Sequence, residues 1–207
     1  CAIGLQSLEQ AIARVGDAAR IELHFQPFEL NPGLAEAGED VIDHLVEKYG
    51  ISEAQVKQNS EAIRTRGADL GFVFDMQRRR RIWNTFDAHR LLHWAETQDL
   101  DRQRALKHAL LRAYFSDGEN VSDHEALVRI AASVGLDGER AREVLASGEY
   151  ADAVREREQF YTGNGISAVP SIIFNERHLI QGGQPVEQFE RAIRQLSAAP
   201  AAEARDA

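Results

Sequence analysis

The sequence has almost no cysteine, since Cys1 is the only one among 207 residues. A single cysteine cannot form a disulfide within the chain, which excludes a small secreted scaffold held together by disulfide bonds. Proteins that carry unbridged cysteine are typical of reducing compartments, so we expect a cytoplasmic location.

Long hydrophobic runs are also lacking. Charged residues or glycine interrupt every apolar run well short of the ~20 residues that span a bilayer. We therefore expect no membrane span and no membrane partner.

Positive charge is scarce, because 24 lysines and arginines stand against 33 aspartates and glutamates, for a net charge of −9. Binding to a nucleic-acid backbone needs clustered lysine and arginine, so we expect no nucleic-acid partner. The exception is the basic run Arg78–Arg81. Such a run is usually a solvated turn that pairs with surrounding carboxylates. As a binding site it would suit an acidic peptide or the carboxylates of glutathione.

The stretch from Gly163 to Asn175 organises the end of the chain. Glycines break a helix, and an apolar, β-rich run follows Pro170 directly. Proline has no N–H, so Pro170 opens a strand and the backbone of Val169 beside it is left unpaired. Base rates favour a trans proline, but X-Pro bonds are the ones that become cis at realistic cost. From the layout of the whole chain we predict a cis Val169–Pro170 bond.

The beginning of the chain predicts a helix followed by a strand. Apolar residues from Leu5 to Val15 recur at steps of three and four, and Gly16 closes the helix. Ile21 to Phe25 alternates apolar and polar residues until Pro27 stops it, which predicts a strand. A βαβ crossover needs a strand before the helix. We therefore expect the natural protein to begin upstream, with at least a further strand and turn.

The middle of the chain, from Asp40 to Tyr161, predicts almost only helices, with Phe72 to Phe74 as a strand or an extended segment. Capping boxes are predicted at two helix starts, Ser52 with Gln55 and Ser122 with Glu125. The end of the chain predicts a buried strand, a turn, a second strand and a final helix, in the order Ser171–Phe174, Asn175–Arg177, His178–Gln181 and Pro185 onward.

Five stretches together resemble the DsbA family, in its FrnE-like branch: Cys1–Gly4, Phe25–Pro32, Asn84–Leu91, Gly165–Pro170 and Gly182–Pro185. The resemblance implies an α/β fold, namely a thioredoxin fold split by a large all-helical insertion, with its first strand missing from this chain. It places the thioredoxin-like core in 1–35 and 158–200, the insertion in 36–157 and a tail in 201–207.

The same resemblance implies thiol–disulfide exchange. In that family the first helix opens with Cys-Pro-Trp-Cys, and Cys1 matches the second cysteine, which would be the resolving thiol. The implied partners are protein or small-molecule thiols and disulfides, with no organic cofactor and glutathione as an optional co-substrate; a homodimer stays open. Independently, a thiol in the first turn of a helix has its thiolate stabilised by the helix N–H groups. Two other interpretations of Cys1 are a small buried hydrophobe and an N-terminal nucleophile.

The resemblance also implies a substrate groove. The backbone of Val169 would pair with an extended peptide beside Pro170, and Asn84 and His89 would face the groove from a helix of the insertion. The alternative is that His89 and His93 are ordinary groups on a helix surface. Two histidines without a third ligand do not make a zinc site, so we predict no metal.

Two rival functions stay open. One is an enzyme of the related group of 2-hydroxychromene-2-carboxylate isomerases and kappa-class glutathione transferases, in which a serine replaces the nucleophilic cysteine and glutathione is bound. The other is a non-catalytic binding module that keeps the peptide groove. The residue encoded three positions before Cys1 discriminates between them, because cysteine supports exchange chemistry and serine supports the isomerase group.

Overall fold

The computed structural model describes residues 1–35 and 37–198. These residues form two compact units. The first contains Cys1–Glu22 and the described residues from Ala168 onward, and the second is Leu23–Ser167. The domain bounds of the sequence analysis stay a prediction, and its tail 201–207 lies outside the described residues.

The described part of the chain is mainly helical. Its α-helices, in order, are α1 (Ala2–Val15), α2 (Val41–Tyr49), α3 (Glu53–Asp69), α4 (Phe86–Gln98), α5 (Leu100–Arg112), α6 (His124–Ser133), α7 (Gly138–Ala146), α8 (Ala151–Gly163) and α9 (Val186–Ala198). Its strands are β1 (Glu39–Asp40), β2 (Arg81–Ile82), β3 (Ser171–Phe174) and β4 (His178–Gln181). A 3-10 turn, Gly16–Ala18, follows α1, and a π-helical turn, Ala113–Asp117, follows α5. No described helix combines the length and the apolarity that crossing a membrane requires.

The first unit is built on the packing of α1 against α9. The apolar stripe of α1 is buried, as the spacing predicts, and the buried face of α9 includes Phe189 and Ile193. At the edge of this contact, Arg14 of α1 donates to Glu187 of α9 at 2.9 Å. The predictions of both helices are confirmed.

The hairpin of β3 and β4 completes the first unit. It is antiparallel, with Ser171 opposite Gln181 and Ile173 opposite Leu179. The prediction of a buried β3 is wrong, because none of its residues is buried and Ile173 is 38% exposed. A strand is buried on both faces only when its sheet is covered on both sides. In the described residues these two strands pair only with each other.

The predicted strand from Ile21 to Phe25 is also wrong. Its side chains do alternate between half-buried and exposed, as the pattern indicates. However, the described residues offer its backbone no neighbouring strand. Instead, the N–H of Phe25 donates to the side-chain oxygen of Gln103 at 3.1 Å, and the Gln103 amide donates back to the Phe25 carbonyl at 3.0 Å. Alternation reports which side of an extended segment is covered, whereas a strand also needs a partner backbone.

The second unit has its hydrophobic core among α4, α5, α6 and α7. Leu91, Leu106, Leu127 and Val144 in this core are fully buried. Arg90 of α4 is also buried, at 4% exposure, and its guanidinium donates to four backbone carbonyls at the end of α7 and just after it: Val144, Leu145, Ser147 and Glu149. One arginine thereby satisfies the carbonyls that a helix end leaves without intrahelical partners.

Local caps explain most helix starts in the second unit. The hydroxyl of Ser52 accepts a hydrogen bond from the Gln55 N–H at 3.2 Å, which confirms the first predicted cap. The second predicted cap is displaced by one residue, because Asp123 accepts from the Ala126 N–H at 2.8 Å. The hydroxyl of Ser122 bonds to Asn120 instead. Both residue types cap helices well, so the sequence alone did not separate two adjacent candidates.

The helices α2 and α3 are covered far less than the core helices. No residue of α2 is buried, and α3 buries only Val56 and Gly67. The two-residue ladder of β1 and β2 ties the start of α2 to the segment before α4, with Glu39 opposite Ile82. This part of the second unit therefore presents apolar side chains at its surface.

Candidate active site

Cys1 stands at the N-cap position of α1. Its carbonyl accepts the first helical hydrogen bond, from the Leu5 N–H at 2.9 Å, and its side chain is exposed. The first turn of α1 contains no acidic residue. The N–H groups of a first helical turn and the helix dipole favour a negative charge at this position. The N-terminal end of α1 is therefore suited to a thiolate, and exposure makes that thiolate accessible.

The ring of Pro170 lies against the first turn of the same helix. A Cβ atom added to Gly4 would stand 2.7 Å from the Pro170 Cγ and 3.1 Å from its Cβ, both inside normal contact distance. The peptide bond between Val169 and Pro170 is cis. Glycine at position 4 is what lets the helix backbone and the proline ring approach each other, three residues after Cys1.

Two glycines that follow β4, Gly182 and Gly183, also contact Pro170 and the first turn of α1. The N–H of Gly182 donates to the Pro170 carbonyl at 2.8 Å, which fixes the proline against the end of β4. At Gly183 an added Cβ would lie 3.0 Å from the Ile3 Cγ2 and 3.5 Å from the Gly4 backbone nitrogen. Three segments that are distant in sequence thus meet at the start of α1. Gly4 and Gly183 lie in the motif stretches of the sequence, but no role was predicted for either residue.

The backbone of Val169 lies just outside the hairpin. The ladder of β3 begins at Ser171, and among the described residues no hydrogen bond involves the Val169 N–H or carbonyl. The residue is half-buried, and Ala168 before it is exposed. Val169 therefore carries a backbone donor and acceptor that are available to a further extended chain.

The other two predicted site residues belong to the second unit. Asn84 accepts a hydrogen bond from the Phe86 N–H at 2.8 Å, so it holds the turn that leads into α4. His89 is half-buried, and its Nε2 donates to the Phe28 carbonyl at 3.1 Å. Both side chains thus hold the backbone around α4. Their proximity to Cys1 and to a substrate stays a prediction.

Burial and charged neighbours set the protonation of His89. Its pKa is lowered to about 3, mainly by burial and then by the nearby ammonium of Lys107; the Phe28 carbonyl raises the pKa, and Arg155 lowers it. Burial also lowers the pKa of Lys107 to about 8. His89 is therefore neutral at physiological pH, with its proton on Nε2, and it acts as a hydrogen-bond donor to the backbone.

A carboxylate pair lies next to this histidine. Arg155 stacks over the Phe86 ring at 3.8 Å, and its Nη1 donates to both Glu158 and Glu29. The Glu29 side chain is only 2% exposed, and its Oε1 has no hydrogen-bond partner. Burial and the neighbouring Glu29 raise the pKa of Glu158. One arginine thus ties the loop after Phe28 to α8, an arrangement that the sequence analysis did not predict.

The two histidines His89 and His93 lie on the same helix, α4. In the part of the chain that the structure describes, no group of three or more histidine, cysteine, aspartate or glutamate side chains could hold a metal ion. His89 and His93 differ in their surroundings, because His93 contacts the ring of Tyr150, with centroids 5.4 Å apart. His89 and His93 therefore make different contacts, His89 with the Phe28 carbonyl and His93 with the Tyr150 ring.

Comparisons with known proteins agree with one another. Residues 1–194 match the family described as DSBA-like thioredoxin domain. The uncharacterized protein YwbO of Bacillus subtilis (strain 168) is 26% identical over 194 residues, which are 93% of this chain and 89% of that protein. A solved structure, a probable DsbA oxidoreductase from Streptomyces coelicolor, superposes with a TM-score of 0.90 at 34% identity, covering 100% of this chain and 89% of that one. A candidate protein disulfide isomerase from Nitrosomonas europaea superposes with a TM-score of 0.65 at 19% identity, covering 94% and 91%.

Proposed function

The chain belongs to the DsbA-like thioredoxin domain family of thiol–disulfide oxidoreductases, and from this we propose that Cys1 is the second cysteine of a Cys-Pro-Trp-Cys-type pair. The observation that carries the proposal is the contact of Pro170 with Gly4, which lies one turn into the helix that Cys1 begins. The fold is the expected α/β thioredoxin fold with a helical insertion.

The proposed reaction is a two-step exchange. The thiolate of a cysteine encoded three positions before Cys1 attacks one sulfur of a substrate disulfide, forming a mixed disulfide and releasing one substrate thiolate. The Cys1 thiolate then attacks the sulfur of that first cysteine. This forms the disulfide of the enzyme and releases the second substrate thiolate, so two electrons pass to the substrate. The reverse sequence oxidises a dithiol substrate.

The proposed substrate contact uses the backbone of Val169. An extended peptide gains main-chain hydrogen bonds when it is added to an unpaired strand edge, whatever its side chains are. The absence of an intramolecular bond to Val169 among the described residues supports this role. We also retain Asn84 and His89 as proposed groove residues. Protein or small-molecule thiols and disulfides are the proposed partners, with glutathione as an optional co-substrate, no organic cofactor and a cytoplasmic location.

The test uses the full-length protein as encoded. We expect Cys1→Ser to keep the first step and to accumulate a mixed disulfide with the substrate, while catalytic reduction of insulin by dithiothreitol is lost. Arg177→Gln, an exposed change in the turn between β3 and β4, is the control and should retain turnover. Unchanged turnover in Cys1→Ser would exclude the assigned role. A serine encoded three positions upstream, together with glutathione binding, would favour the isomerase group.

A further inference from the structure

A surface groove lies within the second unit, between α2, α3 and the segment 73–79. It has a volume of about 570 Å³. Seven apolar side chains line it, and we call them its floor: Val41, Ile42, Leu45, Val56, Val73, Phe74 and Met76. A smaller hollow of about 240 Å³ shares Arg79 with the groove and adds Arg80. We call the two together the Arg79 groove.

The apolar floor of the Arg79 groove is incompletely covered. The helix α2 carries an apolar stripe but no buried residue, and Val73 is 67% exposed. An amphipathic helix normally gains its stability by burying such a stripe. Contiguous apolar surface rimmed by polar residues is typical of an interaction site.

The rim of the groove carries two arginines without acidic partners. Arg79 stacks on the rings of Tyr114 and Phe115, at 5.0 and 5.1 Å, and its Nε is buried without a hydrogen bond. The Nε of Arg80 donates to the Gln77 carbonyl at 3.0 Å. Within residues 1–35 and 37–198, neither guanidinium forms an ion pair. If this run were an ordinary solvated turn on a chain of net charge −9, we would expect both arginines to pair with carboxylates.

The carboxylates near the groove are already engaged. Glu61 is held by two nitrogens of Arg64, at 2.5 and 2.8 Å. Asp75 accepts from the N–H groups of Gln77 and Arg78, both at 3.0 Å. Asp40 accepts from two N–H groups of α2, whose start it caps. A ligand in the groove therefore meets Arg79 and Arg80, which have no carboxylate partner among the described residues, beside apolar surface.

We propose that the Arg79 groove binds an acidic, amphipathic segment of a partner protein. Apolar side chains of that segment would cover the floor, and its carboxylates would pair with Arg79 and Arg80. A second copy of this chain fits less well. In a two-fold contact each copy would present the same groove to the other, so Arg79 and Arg80 of one copy would face Arg79 and Arg80 of the other and like charges would repel. The site is separate from the proposed thiol chemistry and does not depend on it.

The probe is a fluorescein-labelled helical peptide with leucine on one face and glutamate on the other, and binding is followed by fluorescence anisotropy. We expect saturable binding that weakens as salt is raised. Arg80→Gln should weaken it about tenfold, the effect of losing one charge-assisted hydrogen bond. Val73→Ser should also weaken it, whereas Arg177→Gln on the exposed β3–β4 turn should not. Arg79 also packs on two rings, so its replacement could disturb the fold. The variants are therefore made at the exposed residues Arg80 and Val73.

Two control peptides and one measurement of mass complete the test. A peptide with glutamine in place of glutamate, and one with serine in place of leucine, should both bind more weakly than the probe. Equal binding of the glutamine peptide, or equal binding by the wild type and Arg80→Gln, would overturn the proposal. Sedimentation that shows a wild-type dimer abolished by Val73→Ser would overturn it in favour of self-association.

Discussion

Gly4 and Pro170 occupy adjoining space, because a single added Cβ at position 4 would stand 2.7 Å from the proline Cγ. The residues are far apart in sequence, yet no side chain separates the α1 backbone from the proline ring. The geometry at the start of α1 thus depends on an absent methyl group.

The first prediction concerns this contact. Gly4→Ala should displace the Pro170 loop and destabilise the protein by about 1–3 kcal/mol, the usual cost of overpacking. The same change should lower the rate of disulfide exchange by the full-length protein. Urea denaturation and insulin reduction measure the two effects. The matched control is Gly163→Ala, where an added Cβ meets nothing within 4 Å. Equal stability of both variants would contradict the steric account.

Arg90 is expected to be essential to the second unit. Arg90→Met should cost about 3–5 kcal/mol, because it leaves the carbonyls at the end of α7 without their buried partner. Chemical denaturation with helical circular dichroism measures the loss. Arg112→Met, a change at an exposed position at the end of α5, should have little effect. A loss below about 1 kcal/mol for Arg90→Met would indicate that water replaces the guanidinium.

His89 should make folding sensitive to acid. Its pKa is lowered from 6.5 in the unfolded chain to about 3 in the folded one. The unfolded chain therefore binds more protons in this interval, and the contribution of His89 to stability is complete above pH 6.5 and lost as pH falls toward 3. The loss is on the order of a few kcal/mol.

The measurement is the free energy of unfolding of the wild type and of His89→Gln between pH 7 and pH 4. The difference between the two proteins should shrink or reverse as pH falls, because glutamine does not titrate. His178→Gln, at an exposed position of β4, is the control. Parallel curves for the wild type and His89→Gln would show that His89 is protonated without cost.

Lys107 should react as an amine near neutral pH. Burial lowers its pKa from the usual 10.5 to about 8. Trace acetylation followed by mass spectrometry should give a half-maximal labelling rate near pH 8 for this residue. The chain has two other lysines for comparison: Lys48, bonded to Asn31, and Lys57, paired with Glu53. A midpoint above pH 10 for Lys107 would mean that its ammonium is fully solvated.

The sequence predicted what depends on local chemistry. Helix α1 and the bounds of β3 and β4 follow from spacing and turn residues, and the cap at Ser52 follows from its side chain. The sequence failed where a distant partner decides. The segment from Ile21 to Phe25 has the right alternation but no neighbouring strand.

The candidate site divides in the same way. Motifs drew attention to Cys1 and Pro170, and the structure describes both within the first unit. The fit of Pro170 to Gly4 depends on three-dimensional packing and was not predictable from spacing. The half-buried position of His89 likewise depends on Phe28, which lies 61 residues earlier.

The hairpin of β3 and β4 has a practical consequence for handling the protein. Ile173 and Leu179 form an exposed apolar pair on a short hairpin whose outer edges pair with no other described strand. Such a surface is a template for aggregation by strand addition. For the chain Cys1–Ala207, precipitation at high concentration should begin there, and lysine at position 173 or 179 should raise the solubility limit without touching the α1–α9 core.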